Sequence, residues 1–152
     1  MIYLLDANVL LARHWKPHRH HPSVRHWFDS AVTEWATTPV TQAAFVRLLS
    51  IHAITGGTIT PGRAMDALQY DLDAPNHVFW PADIAFVEPV RAACNTLIGP
   101  KQATDAYLVA LALRHGGKLA TLDRGVLELV RGRPGEEAVE LIELPAEPQG
   151  VQ

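Results

Sequence analysis

Short apolar runs alternate along the chain with stretches whose apolar positions recur every three or four residues, and this alternation predicts strands separated by helices. Ile2-Tyr3-Leu4-Leu5 is an uncharged run closed by Asp6 and reads as a buried strand. Pro22-Ser23 supplies a helix start, with Ser23 as N-cap for residues 24–31, and a second strand is expected at 35–37. Thr41 reads as the N-cap of a long helix in which Phe45, Leu48, Leu49 and His52 fall at i, i+3, i+4 and i+7, closed by Gly56-Gly57. Thr60-Pro61 opens a helix that runs to Tyr70, and Val78-Phe79-Trp80 reads as a third strand stopped by Pro81. A helical segment from Asp83 is interrupted by Pro89 and closed by Gly99-Pro100. Thr104 caps the next helix, which ends in Arg114-His115 before Gly116-Gly117, so its charges suit the helix dipole at both ends. Residues 118–122 form a fourth strand, 126–130 a short helix, and 139–144 a fifth strand interleaved with glutamates, as an edge strand would be. Strands that alternate with helices imply a parallel sheet covered on both faces. The fold class expected is therefore α/β, a three-layer α/β/α domain with a parallel five-stranded sheet over residues 1–144, followed by a frayed tail at 145–152.

Composition narrows the class. With 152 residues, 48% hydrophobic and 19% charged, the chain is long enough for one domain with a real core. Its apolar runs fall far short of the roughly 18 residues that span a bilayer. The first residues do not read as a signal peptide, because Asp6 interrupts the apolar segment and no basic residue precedes it. Cys94 is the one cysteine, which excludes an intramolecular disulfide and a cysteine zinc cluster. The default location is cytoplasmic, with no membrane partner. Net charge is −3, but it is unevenly spread. No acid lies between Ala7 and Phe28, where Arg13, Lys16, Arg19 and Arg25 stand with His14, His18, His20, His21 and His26. No base follows Arg133, whereas Glu136, Glu137, Glu140, Glu143 and Glu147 do. A local basic strip can thus coexist with a negative total. Arg13, Lys16 and Arg19 are candidate contacts to a polyanion. The clustered histidines lie in a loop with Pro17 and Pro22 that fixes no zinc geometry, so a basic loop facing a polyanion or a partner is the reading preferred.

Candidate chemistry comes from three aspartates. Asp6 ends the first strand, Asp123 follows the fourth, and Asp105 lies in the first turn of a helix. In an open α/β sheet such positions border the crevice at the carboxyl ends of the strands. Carboxylates converging there repel one another unless a cation lies between them, and hard divalent ions such as Mg²⁺ or Mn²⁺ suit oxygen donors. That pattern points to phosphodiester chemistry.

The blocks Leu4-Leu5-Asp6-Ala7-Asn8-Val9-Leu10, Thr41-Gln42-Ala43-Ala44-Phe45-Val46-Arg47, Thr104-Asp105-Ala106-Tyr107-Leu108-Val109-Ala110-Leu111-Ala112 and Leu119-Ala120-Thr121-Leu122-Asp123 occur in this order across nearly the whole chain. In them the sequence resembles the PIN-domain nucleases, and among these the VapC-type toxins of toxin–antitoxin modules. The resemblance implies a Mg²⁺- or Mn²⁺-dependent endoribonuclease that hydrolyses RNA with a metal-activated water. It implies Asp6 and Asp105 as metal ligands, with Asp123 completing the catalytic site. It also implies a homodimer and a cognate antitoxin protein as partner. Asn8 would orient Asp6 or a metal water, and Thr121 would place its hydroxyl beside Asp123. Gln42 and Arg47 are supporting candidates on the second-block helix. Many relatives carry a glutamate one turn before the arginine; Ala44 stands there, so the site has one carboxylate fewer. A catalytically impaired RNA- or protein-binding module of the same fold is the alternative. A phosphatase with an aspartate nucleophile after the first strand is a further rival, but it wants a second aspartate where Asn8 stands.

Overall fold

A computed structural model describes residues 1–146. Five parallel strands form one sheet: β1 (Ile2–Leu5), β2 (Glu34–Thr37), β3 (His77–Phe79), β4 (Lys118–Thr121) and β5 (Val139–Leu141). Their order is β3-β2-β1-β4-β5, with Leu4 in register with Ala36 on one side and Leu119 on the other. The chain builds outward from β1 to β3, then crosses back and builds outward again from β4 to β5. The topological switch therefore lies between β1 and β4, and the outgoing connections diverge there to leave a crevice.

Strand side chains alternate between two cores, as the period of two requires. Leu5, Trp35, Ala120 and Ile142 face α1 (Ala7–His14), α2 (His21–Ala31), α3 (Pro39–Leu49) and α5 (Pro61–Leu72). Leu4, Ala36, Leu119 and Val139 face α6 (Val87–Ala93), α7 (Gln102–Arg114) and α8 (Gly125–Val130). The three-layer architecture expected from the alternation is the one observed. Among the described residues no helix is long and apolar enough to cross a membrane.

Boundaries differ where local chemistry is more specific than periodicity. The expected N-cap Ser23 lies inside α2, which begins two residues earlier with Pro22 in its first turn. Thr41 is likewise inside α3. Proline at the first helical position starts that helix at Pro39, and Thr41 Oγ1 instead accepts the Thr38 N–H at 3.1 Å. The long helix expected through His52 breaks at Ser50 and resumes as one turn, α4 (His52–Thr55), before Gly56 takes a left-handed φ of 68°. Asp83 lies outside any helix, because Pro89 is accommodated in the first turn of α6. The Thr104 cap gives way to Lys101, since α7 starts at Gln102. Helix α1 and a 3-10 turn at Pro134–Ala138 were not expected. The expected fifth strand is shorter but does lie at the sheet edge. Of the expected tail, residues 147–152 lie outside the described part.

Candidate active site

The close of β1 sets the first acid. Asp6 N–H donates to Ala120 O of β4 at 3.1 Å, which extends the ladder by one residue and presents the side chain at the crevice. Asp6 also caps α1, its Oδ1 accepting the Ala7 N–H at 2.7 Å. Its Oδ2 accepts the Thr121 hydroxyl at 3.0 Å, across the switch point. The same Thr121 oxygen accepts the Asp123 N–H at 3.1 Å, and Asp123 Oδ1 accepts the Gly125 N–H at 2.8 Å. One fully buried hydroxyl thus holds two acids in place. Asp105 enters from the first turn of α7.

Burial and acidic neighbours act on the carboxyls of Asp6 and Asp105. Burial pushes Asp6 above the usual carboxylate range, the hydrogen bonds from Thr121 and Ala7 oppose this, and the charge of Asp123 adds to the rise. Burial, followed by the charges of Asp6 and Asp123, raises Asp105 from 3.8 to about 6. In donor chemistry and mutual repulsion this set fits a hard divalent cation. Among the described residues, however, no three His, Cys, Asp or Glu side chains stand close enough together to form a ready ligand cluster. Direct ligation by all three acids would need side-chain movement or bridging water.

Asp6, Asn8, Thr121, Leu122 and Asp123 line one cleft of about 520 Å³ together with His18, Arg19 and His20. Arg19 is thus beside the acids. Asp6 takes its hydrogen bonds from Ala7 and Thr121, and Asn8 lines the same cleft. Gln42 donates to Thr37 Oγ1 at 2.9 Å, at the tip of β2. Ala44 is half-buried, and Arg47 is exposed in the last turn of α3, at the end remote from the strand tips. Lys16 is exposed in the loop after α1. Arg13 is engaged elsewhere: Nη1 lies 3.6 Å from Asp71, and the guanidinium covers Phe28 and Trp35 at 4.3 and 5.0 Å. That is a structural contact under α5. His14 and His21 are engaged apart from the cleft. His14 Nδ1 meets Asp71 Oδ2 at 2.9 Å, and His21 Nδ1 meets Ala12 O at 2.7 Å. In the sequence His18 and His20 carry no signal beyond membership of the basic loop.

Comparison with known proteins follows the same lines. A profile of the PIN domain matches residues 3–143. Ribonuclease VapC39 of Mycobacterium tuberculosis is 35% identical over 129 residues, covering 84% of this chain and 93% of the relative. Ribonuclease VapC38 of the same organism is 36% identical over 140 residues, covering 91% and 96%. Among solved structures, FitAB bound to the IR36 DNA fragment aligns over 97% of this chain and 100% of that one, with a TM-score of 0.57 at 22% identity. FitAcB from Neisseria gonorrhoeae gives 0.52 at 21% identity, over 91% and 96%. At that identity the solved structures speak to the fold.

Proposed function

The chain belongs to the PIN-domain family, and on that premise we propose that it is a VapC-type endoribonuclease, the toxin of a toxin–antitoxin pair, dependent on Mg²⁺ or Mn²⁺. The observation that carries this reading is that the Thr121 hydroxyl holds Asp6 and Asp123 together at the β1/β4 switch point, with Asp105 entering from the first turn of α7. The similarity to mycobacterial VapC ribonucleases supports RNA as the substrate. Asp6 and Asp105 would hold the cation, with Asp123 completing the set. When bound, such an ion supplies neutralising charge for the phosphate and an acidified water. The chain's own part is positional. Thr121 fixes Asp6 and the backbone of Asp123, and Gly125 N–H fixes the Asp123 carboxylate. The loop part of the lining, with Arg19, offers positive charge toward a strand passing through the cleft. An antitoxin and a second copy of the chain are the partners proposed with this reading.

A non-catalytic binding module is the second reading, favoured by the lack of a ready ligand cluster among the described residues and by Ala44 in place of an acid. One assay separates the two. Purified protein should cleave single-stranded RNA with Mg²⁺ or Mn²⁺, stop in excess chelator, and lose activity in Asp6→Asn while keeping its thermal transition. Cleavage that survives chelation would remove the metal mechanism, and RNA binding without cleavage would install the second reading.

A further inference from the structure

The part of the cleft lining that comes from the loop after α1 is tied down by backbone hydrogen bonds. After α1 the chain turns tightly: His18 N–H donates to Trp15 O at 2.9 Å, and His18 O accepts the His21 N–H at 3.0 Å. His20 O then accepts the Val24 N–H at 3.0 Å, tying the turn into α2. Within this turn His18 Nδ1 accepts the His20 N–H at 3.0 Å, and the two imidazoles lie 5.7 Å apart at 50°. A ring nitrogen that accepts a backbone N–H carries no proton, so the neutral ring bears its proton on Nε2. Both rings line the cleft that holds Asp6 and Asp123.

We propose that His18 is a substrate-binding residue of this site, its Nε2–H donating to a phosphate oxygen of the RNA strand held in the cleft. This rests on the ribonuclease reading above and adds a contact that the acidic centre cannot supply. Carboxylates repel the phosphates on either side of the one being hydrolysed, so a strand in this cleft needs donors elsewhere in the lining. A neutral imidazole is suited to that place. It donates a hydrogen bond to the anion without forming an ion pair with Asp6 or Asp123 that would compete with their cation. Burial, then His20, His21 and Arg19, hold the His18 ring below its ordinary value, which keeps it neutral. The backbone bond to Nδ1 fixes the ring's rotation, so little freedom is lost on binding.

The test uses the two amide isosteres of the ring. Asparagine at this position keeps an acceptor near Nδ1 and removes the distal donor; glutamine keeps a donor near Nε2. Affinity for a fluorescein-labelled, mixed-sequence single-stranded RNA is read by anisotropy in excess chelator, where nothing is cleaved. We expect His18→Asn and His18→Ala to weaken binding by about tenfold, the size of one hydrogen bond to an anion. His18→Gln should stay close to wild type. If asparagine restores binding and glutamine does not, His18 merely holds the turn, and the proposal fails. Equal affinity in all variants overturns it as well. No binding by the wild type overturns this inference, whereas the ribonuclease reading stands or falls on the metal-dependent cleavage assay. The unmodified protein gives an independent reading through ¹⁵N resonances. RNA should move the Nε2 signal of His18 and leave Nδ1 unprotonated, and an unmoved Nε2 signal overturns the contact even if a variant misfolds.

Discussion

At Asp105 a carboxyl is held where its charge is unwelcome. Burial and the neighbouring Asp6 and Asp123 raise it to about 6 from 3.8, so between those values the folded chain binds its proton more tightly than the unfolded chain. Stability contributed by this group therefore falls as pH rises through that window, and the cost is fully present above about 6. Asp105→Asn in excess chelator should raise the melting temperature above about pH 6, with the gain shrinking to nothing below 3.8. Calorimetry across pH checks this; a gain that persists at the acid end would mean that charge is not what Asp105 costs. A group placed against stability in this way is a mark of a functional site. The positions of the three aspartates were legible in the sequence, because a strand tip and a first helical turn can each be read from local pattern. The hydroxyl of Thr121 that bridges Asp6 and Asp123 was legible only as a neighbour, since the Asp6–Thr121 bond spans 115 residues of sequence. Arg13 misled, because a basic residue in a basic strip looks solvent-facing until Asp71 and the rings of Phe28 and Trp35 are brought under it.

Among the elements, α3 decides whether a further acid can reach the site. Its N-terminus lies at the carboxyl edge, and Gln42 reaches the tip of β2 by donating to Thr37 Oγ1. Ala44 is two residues on, about 200° round the helix from Gln42. A carboxylate introduced at 42 should therefore strengthen Mn²⁺ binding more than one at 44. Calorimetric titration of Gln42→Glu and Ala44→Glu compares them, and a tighter Ala44→Glu would show that the second block faces the crevice as its spacing implied. The turn after α7 sets the register of β4 by another route. Gly116 takes a φ of 67°, and a Cβ on Gly117 would stand 2.4 Å from Ile2 O and 2.6 Å from the Trp80 ring. Since Ile2 O is backbone, Gly117→Ala should cost about 1–3 kcal/mol in urea unfolding. Unchanged stability would mean that β1 and β4 shift apart freely at that end. The cores of β1 and β4 were legible because short apolar runs closed by an acid have no competing pattern. Helix starts were less so, because prolines 22 and 39 and the acid Asp6 outrank the hydroxyl residues that look like caps.

For the whole molecule the switch between β1 and β4 couples the site to global stability. Asp6 joins the end of β1 to α1 through Ala7 N–H and to β4 through Thr121, and the two cores meet along these central strands. A cation bound between the acids would relieve the repulsion that the fold tolerates without it. Any ligand that binds the folded chain and not the unfolded one stabilises by mass action, about 2.7 kcal/mol at a hundredfold excess over its dissociation constant. For a chain of this size that corresponds to a rise of roughly 5–10 °C in melting temperature. Mn²⁺ should produce such a rise at neutral pH and a smaller one once the pH falls below about 6, where the proton on Asp105 competes with the ion. Asp6→Asn should abolish most of the effect, because it removes the acid that both strands position. A control with the exposed histidines is needed, since Mn²⁺ also binds imidazole. His26→Ala, on the outer face of α2, should leave the rise intact. Were the rise unchanged in Asp6→Asn and lost in His26→Ala, the ion would lie outside the crevice, and the acidic centre would have to be read as a site without a metal.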